Sequence, residues 1–479
     1  MKQEDKKMTT PIADFVRNYA GRDISRFHMP GHKGKPFLGC EPFDITEVYG
    51  ADSLYEAEGM IAESEKNTAK LFGSACTLFS TEGSSQCIRA MLYLALLRRK
   101  PGVRSKIVAA RNVHKAFVYA AALLDFDVIW LWPEEDTESI CSCPVSLENL
   151  ERVLKENQDS VVAVYVTSPD YLGGLEDIRS LAEVCHRNGT ILEVDNAHGA
   201  YLHFLEPSQH PLDLGADICC DSAHKTLPVL TGGAYLHISK QAPVIFAEQA
   251  KYAMGLFGST SPSYLILTSL DLCNRYLAEN YRVRLRETIE RREGCRKKLE
   301  DAGWRVCKSD PLKLTVEIPS GVSSEELTGR LHRQGVECEY ADSDFLVFML
   351  TPENTEEELE QLLNVLGENP FSYEEKKRLP FVHATSVMSI REAMFALPEK
   401  ISTSQALGRI CRIPTVSCPP AIPITVPGET IDEVALQLFA HYGINKLDVV
   451  QKQTNHAFLL SPTAVMENQR AEEMIDCVK

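Results

Sequence analysis

Ala216-Asp217-Ile218-Cys219-Cys220-Asp221-Ser222-Ala223-His224-Lys225-Thr226-Leu227 is the stretch on which the rest of the chain turns. Ile218 to Cys220 is short and apolar, as a buried strand is, and the polar residues after it end that strand in a turn carrying Lys225. Upstream, Ile191-Leu192-Glu193-Val194 is a second apolar strand, and it delivers Asp195 into Asn196-Ala197-His198-Gly199. A lysine amine and a carboxylate at neighbouring strand ends are what pyridoxal phosphate requires, the amine to bond its aldehyde and the carboxylate to keep its pyridine nitrogen protonated. Taken singly, the two residues also fit plainer roles, a solvated lysine and a helix-capping aspartate.

The same grammar repeats towards the N-terminus. Cys76 to Phe79 reads as a strand running into Ser80-Thr81-Glu82-Gly83-Ser84-Ser85-Gln86, with a helix from Cys87 to about Leu97. A Gly-Ser-Ser turn at a helix start offers free N–H groups, two hydroxyls and the positive end of the helix dipole, which together make a phosphate seat. N-capping by Ser84 or Ser85 is the alternative. Ile107 to Ala110 is the next strand, followed by Arg111-Asn112-Val113-His114-Lys115 and a helix through Leu124. His114 at that junction either lies over a flat ring or caps the helix. Val128 to Leu131 and Val161 to Val166 are further strands, the second running into Thr167-Ser168-Pro169-Asp170-Tyr171-Leu172-Gly173-Gly174 and an amphipathic helix from Leu175 to Arg187. The alternation predicts an α/β unit with a mostly parallel sheet, helices on both faces, and a ligand at the carboxyl ends of the strands.

Flanking segments are simpler. Phe15 to Ala20 and Ile61 to Phe72 read as helices, and Phe27-His28-Met29-Pro30-Gly31-His32-Lys33-Gly34 as a loop. His28 and His32 are four apart, but Pro30 and Gly31 between them break the helix a metal pair would need, so no metal site is expected. From Tyr264 a long helix is expected to about Glu290, continuing to Leu299. Gly303 then opens an α+β unit with strand Leu314 to Ile318, helix Ser324 to Arg333, strand Phe345 to Leu350 and helix Thr355 to Leu366. Glu368 to Leu379 is a polar connector, and Pro414 to Pro427 must be extended or turning.

With 479 residues, 44% apolar and 24% charged, the chain is a folded protein of about three domains, or of two when one is a large α/β unit. A net charge of −17 repels nucleic acid and anionic membranes and draws in cations, so neither nucleic acid nor membrane is an expected partner. Fifteen cysteines without paired metal-ligand spacing read as reduced thiols, with Cys141-Ser142-Cys143 and Cys219-Cys220 as packing or loop residues. Met1 to Thr10 is polar and charged, and no stretch approaches a membrane span; the expected location is the cytoplasm.

Five motifs in order carry a resemblance. Phe-His-Met-Pro-Gly-His-Lys from Phe27, Arg-Asn-Val-His-Lys from Arg111, Asp-Asn-Ala-His-Gly from Asp195, Ser-Ala-His-Lys-Thr-Leu-Pro from Ser222 and Ser-Pro-Ser-Tyr from Ser261 are similar to signatures of the ornithine/lysine/arginine decarboxylases. The tail, from Arg391-Glu392-Ala393 through Pro419-Pro420 to Val426-Pro427-Gly428-Glu429, resembles the C-terminal domain of that family, so the likeness covers nearly the whole chain. It most resembles the short bacterial members, which lack an extra N-terminal domain. The resemblance implies a pyridoxal-phosphate fold of the aspartate aminotransferase type (fold type I) with a smaller α+β C-terminal domain. The domains are expected as an N-terminal arm and loop at 1–60, a cofactor-binding major domain at 61–290 and a C-terminal region at 291–479, with the family's C-terminal domain from about 380.

It also implies roles. Lys225 would bond the cofactor, Asp195 would pair with its pyridine nitrogen, His114 would stack on its ring, and His198 would lie near that ring. Ser84, Ser85, Ser222 and His224 would meet the phosphate, and Ser261 to Tyr264, through Ser261 and Ser263, would reach the phosphate of a neighbouring subunit in an obligatory homodimer or higher homo-oligomer. The implied reaction is decarboxylation of arginine, lysine or ornithine to its amine and CO2, as in polyamine metabolism, with a proton returned to Cα from His224 or Lys225. This sequence departs from the pattern at Asn196, where glutamate is usual, at Asp170, where threonine is usual, and at Cys418 and Ala421, where tyrosine and glycine usually flank the two prolines. An aminotransferase of the same fold, which would produce a keto acid, and a catalytically idle paralogue are the rival readings.

Overall fold

The computed structural model describes residues 8–373, 379–380, 383–416 and 421–452. Its centre is a sheet of β1 (Cys76–Ser80), β2 (Lys106–Ala110), β3 (Asp127–Leu131), β4 (Val161–Thr167), β5 (Ile191–Asp195), β6 (Ile218–Asp221) and β7 (Ala234–Ile238), in the order β1-β7-β6-β5-β4-β2-β3. β7 runs antiparallel to both of its neighbours, and every other pair is parallel. Continuous apolar runs such as Val162 to Val166 are buried because helices cover both faces: Ile107 and Ala109 enter one core, while Val108 and Ala110 enter the other.

Turn chemistry places the helices. The expected helix from Cys87 begins earlier, at Ser84, because Gly83 at φ 74° turns the chain directly out of the strand; neither serine caps it. The helix expected from Leu175 begins at Ile178, where Asp177 accepts from Ser180 N–H and fixes the start. The single helix expected beyond Tyr264 is two, Tyr264–Glu279 and Tyr281–Asp301, broken at Asn280. Helices Leu147–Glu156 and Val244–Leu256 and the strand β7 were not expected from the pattern.

After Gly303 comes a smaller antiparallel sheet of β8 (Lys313–Glu317), β9 (Tyr340–Ala341) and β10 (Phe345–Met349), in the order β8-β10-β9. Helices Ser324–Arg333 and Glu356–Leu366 pack over it through Leu327, Leu331, Leu362 and Leu366. The last part holds β11 (Pro398–Ser402), β12 (Thr415–Val416), β13 (Pro423–Thr425) and β14 (Lys446–Val450), paired as β11 with β14 and β12 with β13. Its core includes Ile140 and Cys141, so it is packed on the major unit. Arg111 fastens the join: its guanidinium donates to Pro423 O at 2.9 Å and Ile424 O at 3.0 Å and pairs with buried Glu429 at 3.2 Å. Among the described residues no helix is long and apolar enough to cross a membrane.

Candidate active site

A cavity of about 320 Å³ opens at the carboxyl ends of the parallel strands. Into its wall the fold brings Ser84, Ser85, His114, Asp195, His198, Ser222, His224 and Lys225. Ser261 and Ser263 lie outside it; Ser263 caps the Tyr264–Glu279 helix by accepting from Ile266 N–H.

Asp195 ends β5 fully buried, and its carboxylate accepts from Tyr165 OH at 3.1 Å and from Ala197 N–H at 3.2 Å. Burial pushes its pKa up, against the pull of Lys225. Lys225, at the turn after β6, donates from Nζ to His198 Nε2 at 3.0 Å. Burial pulls the Lys225 pKa down, while Asp195 and Glu339 oppose that shift. His198 is driven well below its usual range, by burial first and by Lys225 second, so its ring is a neutral acceptor. His114 caps the helix, its Nδ1 accepting from Ala116 N–H at 3.2 Å, and its ring also lines the cavity. Burial, then Lys225, pushes its pKa down to about 4.

Ser222 Oγ donates to Ser84 Oγ at 2.8 Å beside the uncapped start of the Ser84–Leu96 helix. Gly83 leaves that helix end open: nothing lies within 4 Å of where a Cβ would stand, and its φ of 74° disfavours any side chain. His224 Nδ1 donates to Gly233 O at 3.0 Å, which orients the ring, and burial lowers its pKa.

Asn196 is explained by what lies beneath it. Its Nδ2 donates at 2.7 Å to Asp221 Oδ1, while His210 Nε2 and His237 Nε2 meet Asp221 Oδ2 at 3.1 and 3.2 Å. These groups are fully buried, and although burial alone would raise the Asp221 pKa, the two histidines bring it far below the usual carboxylate range. A glutamate at 196 would set a second buried carboxylate against Asp221, so the departure at one strand end is compensated by the acid at the other. Asp170 takes a local structural role: Oδ1 accepts from Leu172 N–H at 2.9 Å and Gly174 N–H at 2.7 Å, and Lys313 Nζ of β8 donates to its carbonyl at 2.7 Å. Ala421 lines the cavity at φ 62°, a conformation that favours the expected glycine. Cys418 lies outside the described residues.

Sequence reasoning passed over several lining groups. Asn112, Thr167 and Cys141 line the cavity, as does Tyr171, whose ring stands edge-on to His198 at 5.0 Å. Cys141, expected as a packing or loop residue, is buried and also reaches the site. Thr167 was findable, since it ends β4 in register with Asp195. Among the described residues, buried Asn112 Oδ1, Thr167 Oγ1 and His198 Nδ1 have no hydrogen-bond partner, which is what a site built for a polar ring substituent leaves open. The donors, the free helix end and the lysine–aspartate pair fit pyridoxal phosphate.

The family model for the Orn/Lys/Arg decarboxylase major domain matches residues 10–317. The chain belongs to that family. It is accordingly an enzyme, a decarboxylase of basic amino acids. Relatives along most of its length include the arginine decarboxylases of Bacillus subtilis and Halalkalibacterium halodurans, each 28% identical and each covering 88% of this chain and 91% of its own. Among solved structures, the Francisella novicida lysine decarboxylase matches with a TM-score of 0.77 at 17% identity, over 93% of this chain and 81% of its own. Lysine decarboxylase A from Pseudomonas aeruginosa also has a TM-score of 0.77, at 16% identity, over 92% and 80%. Those likenesses place the family member in the α/β fold expected, fold type I of the pyridoxal-phosphate enzymes.

Proposed function

We propose that this family member uses pyridoxal phosphate to decarboxylate one of arginine, lysine and ornithine, as a cytoplasmic homodimer or higher homo-oligomer. The observation that supports it most is that Lys225 and buried Asp195 line one cavity, with a helix N-terminus left uncapped beside them. When bound, the cofactor supplies the electron sink for the bond that releases CO2. Lys225 Nζ would bond its aldehyde, and Asp195 would hold a proton at its pyridine nitrogen. Neutral His114 would lie over its ring without competing for positive charge, and Ser84, Ser85, Ser222 and His224 would hold the phosphate.

The remaining work falls to the chain. Burial lowers the Lys225 pKa and so eases release of its proton, and Nζ is hydrogen-bonded to a neutral acceptor in His198 Nε2. We therefore assign to Lys225 the proton that replaces CO2 on Cα, and to His224, whose Nδ1 is committed to Gly233, a binding role. Ser261 and Ser263, outside their own subunit's cavity, are assigned to the neighbouring subunit's phosphate.

The test is to supply the purified protein with pyridoxal phosphate, present arginine, lysine and ornithine separately, and identify the amine and CO2. One of the three is decarboxylated, and Lys225→Ala abolishes it. Keto acid in place of CO2 would establish an aminotransferase, and no turnover of any of the three would overturn the reading.

A further inference from the structure

The two oxygens of Asp195 are served unequally. Oδ1 accepts from Ala197 N–H at 3.2 Å and faces the thiol of Cys220 at 3.7 Å, whereas Oδ2 accepts from one side chain, the hydroxyl of Tyr165, at 3.1 Å. Tyr165 belongs to β4 and Cys220 to β6, so the carboxylate that ends β5 is gripped from the strand on either side.

Tyr165 is out of character with its strand. Val161-Val162-Ala163-Val164 before it and Val166 after it are aliphatic, and Tyr165 is fully buried beneath the cavity without lining it. Its ring packs in the apolar core on Phe117, at 4.7 Å, a residue of the helix that His114 caps. Phenylalanine would fill the same volume, and a buried hydroxyl costs free energy unless it is bonded. The bond it makes is to Asp195. Burial first and Asp195 second push the Tyr165 pKa well up, so the phenol keeps its proton and donates it to the carboxylate. Glu193, opposite Tyr165 on β5, is fully buried, and burial pushes its pKa well up too, which makes it a neutral neighbour.

A carboxylate this deeply buried favours its protonated form, because a low dielectric penalises charge. Lys225 opposes that tendency as a cation, but under the proposed function its Nζ is committed to the cofactor, which leaves the fixed donors to hold the charge. We propose that Tyr165 is a positioning residue: through its bond to Oδ2 it keeps Asp195 an anion and so places the proton shared with the cofactor on the pyridine nitrogen. This rests on the proposed function above. Tyr165 touches neither cofactor nor substrate, and it acts only through Asp195.

The experiment loads the wild type, Tyr165→Phe and Cys220→Ala with pyridoxal phosphate carrying 15N in its ring, and reads the ring-nitrogen resonance by solid-state NMR beside kcat and KM for the basic amino acid the wild type decarboxylates. Tyr165→Phe removes one oxygen and keeps the ring on Phe117. In it the resonance moves towards that of an unprotonated pyridine and kcat falls about tenfold, with KM and cofactor uptake nearly unchanged. Cys220→Ala disturbs the same buried layer but removes only a weak, distant donor, so it moves the resonance far less. A resonance in Tyr165→Phe that matches the wild type, or one that Cys220→Ala shifts equally far, overturns the proposal while leaving the decarboxylase reading intact. A wild type that takes up no pyridoxal phosphate, or that holds it with an unprotonated ring nitrogen, overturns both this proposal and the role given to Asp195.

Discussion

At and beneath the floor of the cavity, Asp195, Asn196 and Asp221 are buried at the ends of the adjacent strands β5 and β6, with Asp221 satisfied by an amide and two imidazoles and half-buried Lys225 on the turn that follows. At the mouth Asp170, Glu339 and Ala421 come from three separate parts of the chain and are joined by single contacts: Lys313 to the Asp170 carbonyl, Tyr171 to Glu339, and Lys115 N–H to Ala421 O. The floor departs from the family pattern at Asn196 and compensates within hydrogen-bond distance. Ala421, at the mouth, departs without compensation and takes a left-handed backbone to do so. Under the proposed function the floor serves one cofactor's chemistry, whereas the mouth has freedom to follow the substrate.

That contrast can be broken at the floor first. Asp195→Asn should lower kcat by roughly a hundredfold or more while the protein still takes up pyridoxal phosphate, because the Ser84 and Ser222 wall is untouched. Near wild-type turnover, measured as CO2 release, would show that the floor is not chemical.

Asn196→Glu tests the compensation itself. The added carboxylate beside Asp221 should cost about 3 kcal/mol in urea unfolding, and joining it to Asp221→Asn should recover at least about 1 kcal/mol relative to the sum of the single changes. Strict additivity would mean the two positions are independent.

His114 gives a pH test with a definite sign. Its pKa of about 4 in the fold lies below the unfolded value, so the unfolded chain binds more protons between those two values. Its contribution is complete above pH 6.5 and is lost as pH falls through that window, about 2 kcal/mol by pH 5. In His114→Phe the decline of stability between pH 7 and 5 should be smaller by that amount; an identical decline would place the sensitivity elsewhere.

The smallest effect is expected at the mouth. Ala421→Gly should stabilise the protein by roughly 1 kcal/mol, since it releases an alanine from a left-handed conformation. A thermal melt that moves down instead would mean the strain is held for a purpose.

How much could be read beforehand follows the same division. Strands β1 to β6 were legible because buried parallel strands are continuous apolar runs ended by polar turns, and those turns carry Lys225, Asp195, His114 and Ser84. β7 was not, since His237 interrupts its apolar run and is satisfied only by Thr77 and Asp221, partners distant in sequence. The break at Asn280 has neither glycine nor proline to announce it. Tyr171 and Glu339 meet only through closure of the smaller sheet on the larger one, a contact that no local pattern encodes.

β7 has a consequence for how the enzyme comes into being. Gly232, just before it, accepts from Gly83 N–H at 2.7 Å, and Gly233 accepts from His224 N–H at 3.1 Å. The residues that open this late strand thus tie down both the Gly83–Ser84 turn and the Lys225 turn. During synthesis the Gly-Ser-Ser turn leaves the ribosome long before the residues that fasten it, and Asp195 and Lys225 also precede them. A nascent chain stopped short of β7 would carry Lys225 on a turn still without its clasp, so under the proposed function competence to capture the cofactor arrives with that strand.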